Sequence, residues 1–151
     1  MPSGYGIAES IEGAIEWSEV VRHLEQARNY WVSTSSLDAA PHAMPVWGLW
    51  YDGAFHFCTD PASRKARNLR QNPRIVVHLE SGDDVVILHA VAHEITDPDQ
   101  LTDLVNRYHA KYEVRPELSG PESGTYRAAP DTVLSWHERD FPASATRWYR
   151  R

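Results

Sequence analysis

The chain has little of several features that mark whole classes of protein. It contains one cysteine, Cys58, among its 151 residues. No intramolecular disulfide can therefore form, which fits a reducing compartment. No apolar run approaches the roughly 20 residues that a membrane-spanning helix needs, and the first ten residues lack the basic region and apolar core of a secretion signal. We therefore expect a cytoplasmic protein with no membrane partner.

Positive charge and glycine-rich loops are also scarce. Fifteen Lys and Arg residues face twenty-one Asp and Glu residues, so the formal net charge is -6. A broad basic face for nucleic acid is not expected from this balance. No GxGxxG stretch is present, so a Rossmann dinucleotide site is not predicted.

The chain has eight histidines, and two of them, His89 and His93 in HAVAH, have the spacing of metal ligands on a helix. Their flanks, VVIL and EIT, favour a strand, where four residues separate two side chains by roughly 13 Å. We therefore predict no metal site. The histidines at 42, 56 and 137 are interpreted as structural or surface residues, and Cys58 as a small hydrophobic residue within a strand.

The periodicities predict one domain over residues 1–151, in which residues 1–14 form an N-terminal arm. Three helices are predicted at 17–28, with Ser18 as N-cap, at 63–71 and from Asp97-Pro98 to 112. Asp52-Gly53 is a strong signal for a two-residue hairpin. Seven strands are predicted at 30–35, 43–51, 54–59, 74–80, 85–96, 132–137 and 145–149. Residues 113–129 read as a loop that lines the mouth of a site. Short strands with hairpin connections favour an antiparallel barrel with peripheral helices.

The most informative segment is TDPASRKARNLRQNP, residues 59–73. A predicted strand is followed by Asp60, Pro61 and Ser63, which are residue types that favour the start of a helix. Four cations then follow within seven residues, with no acidic residue among them: Arg64, Lys65, Arg67 and Arg70. Free backbone N–H groups and the positive end of a helix dipole attract anions. The pattern predicts a cradle for the phosphate of a nucleotide-like cofactor, against the alternative of a solvated helix face.

Three segments together resemble a known family. They read WVSTSSLDAAPHAMPVWGLWYDG, then FHFCTD with SRKARNLRQNPR, and finally LSWHERDFPASATRWYR. The order is similar to that of the split-barrel flavin-binding proteins related to pyridoxamine 5'-phosphate oxidase, including their actinobacterial branch that uses the deazaflavin coenzyme F-420. The resemblance implies a mainly β (α+β) fold, a six- to seven-stranded antiparallel split β-barrel of the FMN-binding type with peripheral helices.

The resemblance also implies roles for individual residues. Ser63, Arg64 and Lys65 would hold the cofactor phosphate, with a hydroxyl from Thr59. The backbone of Ala43, Met44, Pro45, Val46, Trp47 and Gly48 would lie along the tricyclic ring, and the N–H groups of 46–48 would polarise it. Trp136 and Arg147 would close the site from the second subunit of a homodimer. No catalytic side chain is predicted, because the cofactor carries the hydride chemistry and the protein orients it.

The choice of cofactor stays open at this point. Ala43 and Gly48 stand where the vitamin-processing oxidase has Arg and Lys, which argues against a pyridoxamine phosphate substrate. An acidic deazaflavin tail would suit the cations Arg67, Arg70, Arg147, Arg150 and Arg151. Coenzyme F-420 is therefore favoured over FMN for an oxidoreductase that acts on a small organic molecule. A non-catalytic carrier or sensor of a flavin or haem-type ligand, and a ligandless dimeric scaffold, are the alternatives.

Overall fold

The computed structural model describes residues 13–118 and 123–149. Most of the predicted N-terminal arm therefore lies outside the described residues. Three helices are present: α1 (Trp17–Gln26), α2 (Arg64–Gln71) and α3 (Pro98–Tyr112). The eight strands are β1 (Tyr30–Ser35), β2 (Pro41–Val46), β3 (Leu49–Tyr51), β4 (Ala54–Cys58), β5 (Arg74–His78), β6 (Asp84–Glu94), β7 (Thr125–His137) and β8 (Thr146–Tyr149).

All strand pairs are antiparallel and form one sheet in the order β2-β1-β5-β6-β7-β4-β3, with β8 also paired to β7. Its two outermost strands, β2 and β3, are joined by only two residues, Trp47 and Gly48. A sheet whose edges are covalently this close must curl. The result is a split barrel with peripheral helices, so the predicted fold class is confirmed.

Two apolar clusters stabilise the barrel. The larger fills the concave side of the sheet, where α1 and α2 pack against alternate residues of the strands, including Val20, Val32, Phe55 and Leu69. The smaller lies between α3 and the opposite face of β3 and β4, around Leu49, Leu104, Tyr108 and Tyr112. Burial of these side chains is the main stabilising term. It also packs α2 against β1, and α3 against β3 and β4.

Several predicted boundaries are confirmed. β1 matches residues 30–35, and α3 begins at Pro98 after Asp97, whose side chain accepts a hydrogen bond from the Gln100 N–H at 2.9 Å. Asp52 and Gly53 have φ values of 50° and 63°, the left-handed pair that a type I′ hairpin requires. His89 and His93 lie on β6, as the strand interpretation predicted.

Three predictions of local structure are wrong. The strand predicted at 43–51 is two strands, β2 and β3, which raises the count from seven to eight. β7 begins at Thr125 rather than 132, because pairing with β4 and β6 extends the strand through a stretch of weak β propensity. The N-cap of α1 is Glu16, not Ser18, and Trp17 instead packs at 5.5 Å from Trp148 between ring centroids.

No helix among residues 13–118 and 123–149 combines the length and apolar character that a bilayer-spanning segment requires.

Candidate functional site

The start of α2 is built by hydroxyl groups. Ser63 is its N-cap, and the Ser63 hydroxyl accepts a hydrogen bond from the Ala66 N–H at 3.2 Å. The Thr59 hydroxyl lies 3.1 Å from that of Ser63. Asp60 accepts a hydrogen bond from the Ala62 N–H at 2.7 Å and thereby shapes the loop that precedes the helix. Two hydroxyls thus converge at the positive end of the helix.

Arg64 and Lys65 begin α2 next to β2. Burial is the main cause that lowers the pKa of His42 on β2, and the positive charges of Arg64 and Lys65 lower it further. The pKa of Lys65 is also lowered, because the ammonium is partly buried. Neither cation forms an ion pair with a carboxylate in the described part of the chain. Asp60 acts on Lys65, and Asp38 on Arg64, through their charges without forming an ion pair, so the helix start is a region of partly compensated positive charge beside an edge strand.

Arg67 and Arg70 act differently from Arg64 and Lys65. The Arg67 guanidinium donates a hydrogen bond to the carbonyl of Ala62, and that of Arg70 donates one to the carbonyl of Pro61 at 2.9 Å. These contacts hold the loop against the helix. Both side chains thus help to shape the loop at the predicted phosphate cradle, a role that the sequence interpretation did not give them.

Among residues 13–118 and 123–149, β2 is an edge strand that pairs with β1 alone. Ala43, Met44 and Pro45 are exposed, whereas Val46 is half-buried. Proline lacks a backbone N–H and is confined to edge strands with that side open. Pro41 and Pro45 share one side of β2, so Ala43 between them carries the free N–H on that edge. The predicted ring-binding segment is thus an open surface with few competing donors.

The chain bends at Trp47 and Gly48, and α3 holds the bend. The Tyr108 hydroxyl donates to the Trp47 carbonyl at 2.8 Å and accepts from the Cys58 N–H at 3.2 Å. The Tyr112 hydroxyl accepts from the Gly48 N–H at 3.0 Å and lies 2.8 Å from the Gly48 carbonyl oxygen. The Gly48 N–H is therefore occupied by α3, and the expectation that it would polarise a cofactor ring is wrong.

Glycine at position 48 is a packing requirement. A Cβ there would lie 2.3 Å from Cε2 of Phe55 and 2.9 Å from the His56 carbonyl oxygen. The chain has no room for a side chain at this position.

Trp136 and Arg147 lie apart from the α2 cluster, by which we mean Ser63, Arg64 and Lys65 at the start of α2. Trp136 on β7 packs 6.2 Å from Phe141, between ring centroids. Arg147 on β8 donates to the Tyr149 hydroxyl at 2.8 Å and lines a cleft of about 620 Å³ on the outer face of the sheet, with Ser35, Asn72 and Arg74. Within one chain, no contact among the described residues joins either side chain to Ser63, Arg64 or Lys65. Their predicted role from a second subunit stays a prediction.

Sequence reasoning gave no role at this site to Tyr108, Tyr112, Lys111 or Arg28. Lys111 donates to the Tyr30 hydroxyl at 2.9 Å and to the Gly48 carbonyl at 3.2 Å. The available signal was the pair of tyrosines at i and i+4 in YHAKY, next to a lysine in the last turn of α3. That spacing places the two tyrosines and the lysine at one end of the helix, but it does not identify the loop that they contact.

Comparison with known proteins gives the family. A model of the pyridoxamine 5'-phosphate oxidase family matches residues 17–138. No curated protein matches the chain. Among solved structures, the conserved hypothetical protein Rv2991 from Mycobacterium tuberculosis is 23% identical, with a TM-score of 0.71 over 87% of this chain and 91% of that one.

Two further structures show how widely the fold is used. An F-420 reductase is 16% identical, with a TM-score of 0.59 over 74% of this chain and 93% of that one. The heme storage protein HutZ from Vibrio cholerae is 14% identical, with a TM-score of 0.61 over 75% and 86%. At these identities the likeness extends to the fold alone. The split barrel, the hydroxyl-rich start of α2 and the match over residues 17–138 lead to one conclusion: the chain belongs to the pyridoxamine 5'-phosphate oxidase family.

Proposed function

We propose that the chain is an oxidoreductase that binds the deazaflavin coenzyme F-420 and moves a hydride to or from a small organic substrate. The observation that carries the proposal is the start of α2. There, two hydroxyls and the unpaired cations Arg64 and Lys65 lie beside the exposed strand β2. A planar guanidinium and an ammonium, together with a helix N-terminus, suit a phosphate dianion.

The residues present fit a phosphorylated ring. Lys65 is a partly buried ammonium whose pKa is lowered by burial, so an anion beside it would offset the cost of desolvation. Ala43, Met44 and Pro45 offer an open strip next to this charge. When bound, the cofactor supplies the hydride chemistry. The side chains at the start of α2 anchor its phosphate, and the bend at Trp47 and Gly48, held by Tyr108 and Tyr112, limits where the ring ends.

The proposal includes a homodimer with two cofactor sites at the interface. Trp136 and Arg147 lie away from the α2 cluster in one chain, so a second chain would have to bring them to it. Arg147 lines an open, polar cleft on the outer face of the sheet, which a partner could cover. The two symmetric sites expected of a twofold dimer follow from this arrangement.

Titration of the purified protein with coenzyme F-420 and with FMN, followed by calorimetry, tests the cofactor. We expect tighter binding of F-420 and a loss of roughly 10- to 100-fold in affinity for Lys65→Ala, since a hydrogen bond to a charged group contributes about 1.5–3 kcal/mol. Arg22→Ala is the matched control, because it removes an exposed cation on α1 whose ion pair is with Glu19.

Equal affinity of Lys65→Ala and the unsubstituted protein would contradict the phosphate site, and preferential binding of FMN would reverse the choice of cofactor. A second assay separates enzyme from carrier. The reduced complex is mixed with quinone or enone acceptors, and the cofactor absorbance is followed. Oxidation on mixing supports an oxidoreductase, whereas a complex that stays reduced supports a carrier or sensor.

A further inference from the structure

Two cations without carboxylate partners lie at the end of β2 that is remote from α2. They are Arg28, which follows α1, and Lys111, in the last turn of α3. Neither forms an ion pair with a carboxylate of the described residues. In a chain with 21 acidic and 15 basic residues, two neighbouring uncompensated cations indicate a place for an external anion.

Lys111 is half-buried among neutral groups. Its ammonium donates to the Tyr30 hydroxyl at 2.9 Å and to the Gly48 carbonyl at 3.2 Å, and it lies 5.0 Å from the centroid of the Tyr30 ring. These partners use two of its three donors. The C-terminal end of α3 adds about half of a negative charge at most. The C-terminal end of α1 before Arg28 adds a similar amount, so Arg28 and Lys111 together keep a net positive charge.

Arg28 lies beside an aromatic stack. The rings of Trp47 and Tyr112 are parallel within 4°, with their centroids 4.7 Å apart. The Arg28 guanidinium is 5.3 Å from the centroid of Trp47 and 5.7 Å from that of Tyr112. No hydrogen bond joins this guanidinium to the described residues. Trp47 is 39% exposed, although it is held in a fixed stack, so a flat apolar surface remains open beside free guanidinium donors.

We propose that Arg28, Lys111 and the exposed ring of Trp47 form a second binding site, which takes a planar conjugated carboxylate. The carboxylate meets the two cations, and the conjugated part covers the tryptophan ring. Trp47 is five positions further along the chain than His42, which lies next to the start of α2, and five positions span about 17 Å in an extended chain. The site therefore lies away from the phosphate cradle, although Trp47 also ends the strip proposed for the cofactor ring, and it takes a ligand other than the cofactor.

The charge of Lys111 makes binding depend on pH. Burial lowers the pKa of Lys111 to about 8. The groups that surround it are the phenols of Tyr30 and Tyr112, with Arg28 over the Tyr112 ring and Glu25 of α1 acting on Tyr30. A bound carboxylate stabilises the ammonium and raises its pKa. Affinity is therefore highest below pH 8 and falls as the pH rises through 8.

The experiment uses benzoate as the probe and benzamide as its neutral counterpart. Lys65 and Lys111 are the only lysines in the sequence, so protein labelled with ¹⁵N and ¹³C in lysine gives two side-chain signals, assigned with Lys65→Arg and Lys111→Arg. Titration with benzoate at pH 7 should shift the Lys111 signal at saturable, millimolar concentrations. The Lys65 signal reports the phosphate cradle in the same sample.

Expected results separate this site from the cofactor site. Two variants should each weaken benzoate binding at least about tenfold, the effect of losing one charged contact: Arg28→Met, followed on the Lys111 signal, and Lys111→Met, followed by calorimetry because it lacks that signal. Lys65→Ala should leave that binding unchanged while it weakens coenzyme F-420. Benzamide should bind less tightly than benzoate at pH 7, and the benzoate affinity should fall between pH 7 and pH 9.

Four outcomes would overturn the inference: no saturable shift at Lys111, equal affinity for benzamide, wild-type affinity in both methionine variants, or loss of benzoate binding in Lys65→Ala. If a methionine variant unfolds, its circular dichroism spectrum reveals this. The pH dependence and the benzamide comparison, both made on the unsubstituted protein, then decide the question. Failure of F-420 binding alone would leave this inference standing.

Discussion

At the scale of single residues, the tightest packing lies around Gly48. The backbone there is trapped between α3, which binds both its N–H and its carbonyl through Tyr112, and the ring of Phe55. Gly48 is also one of the two residues that connect β2 and β3, the strands at the two edges of the sheet. A side chain at this position would therefore strain the point on which closure of the barrel depends.

We predict that Gly48→Ala destabilises the protein by about 1–3 kcal/mol or more, because its Cβ would lie 2.3 Å from Phe55. Urea unfolding followed by circular dichroism measures the loss. Gly82→Ala is the control, since a Cβ at Gly82 meets no atom within 4 Å. A Gly48→Ala protein as stable as Gly82→Ala would contradict the packing argument.

His56 shows how burial sets a charge state. It is 2% exposed, it stacks on Tyr51 at 3.9 Å between ring centroids, and its Nδ1 lies 3.2 Å from the Ala54 carbonyl oxygen. Burial, the first cause, and the charge of Arg127 lower its pKa to about 4. The side chain is therefore neutral in the folded protein at neutral pH.

This charge state predicts a loss of stability in acid. The folded protein has the lower pKa, so the unfolded chain binds the proton first. Stability begins to fall as the pH drops below 6.5, and the loss is complete near pH 4, where it reaches about 3 kcal/mol. Comparison of unfolding free energies at pH 7 and pH 4.5 tests this. His56→Phe should show a smaller decrease than the unsubstituted protein, whereas the exposed His93→Gln should show the same decrease.

At the scale of elements, α2 is joined to β1 by one buried hydrogen bond. The Asn68 side-chain amide donates to the Thr34 hydroxyl at 3.0 Å, and each residue is 4% exposed. A buried polar pair of this kind is favourable only while both partners are present. It sets the position of α2 along β1, and so the place of Ser63, Arg64 and Lys65 beside β2.

A double-mutant cycle measures this contact. Asn68→Leu and Thr34→Val should each cost about 1–3 kcal/mol, since each leaves a buried polar group unpaired. The double variant should be less destabilised than the sum of the two, with a coupling of at least about 0.5 kcal/mol in urea unfolding. Strict additivity would show that the two side chains do not depend on each other.

The elements also show where local sequence is sufficient. α2 and its N-cap Ser63 were predictable, because capping and the Asn72-Pro73 stop act within a few residues. The break between β2 and β3 was not predictable, because it depends on Tyr108 and Tyr112, which are 61 and 64 residues away from their partners Trp47 and Gly48. Residues 125–131 escaped prediction for a similar reason, since their strand is fixed by neighbours.

At the scale of the whole molecule, the predicted cofactor residues divide into two groups. One lies on β2 and α2, and the other, Trp136 and Arg147, on β7 and β8. If each site in the proposed homodimer takes one group from each subunit, the two groups complement each other across chains. This arrangement makes a prediction that does not require a structure of the dimer.

Lys65→Ala and Arg147→Ala, each defective in F-420 binding as a homodimer, should recover binding when they are unfolded together and refolded as a mixture. Half of the dimers are then mixed, and each mixed dimer has one intact site, so about a quarter of all sites recover. Calorimetric titration counts them. Mixtures without recovery would place both groups in one chain's site, and a monomer by sedimentation would contradict the dimer itself.

The amino-acid sequence alone determined the positions of most strands, the hairpin at Asp52-Gly53, the three helices and the basic start of α2. These features depend on interactions within a few residues, which periodicity and turn chemistry express directly. Tertiary structure alone decided the bend at Trp47 and Gly48 and the hydrogen bond from the Gly48 N–H to Tyr112. It also decided the lowered pKa of Lys111 and the approach of Arg28 and Lys111 to the Tyr112 ring. These depend on contacts between segments far apart in the chain, which appear only when the sheet curls and α3 packs against it.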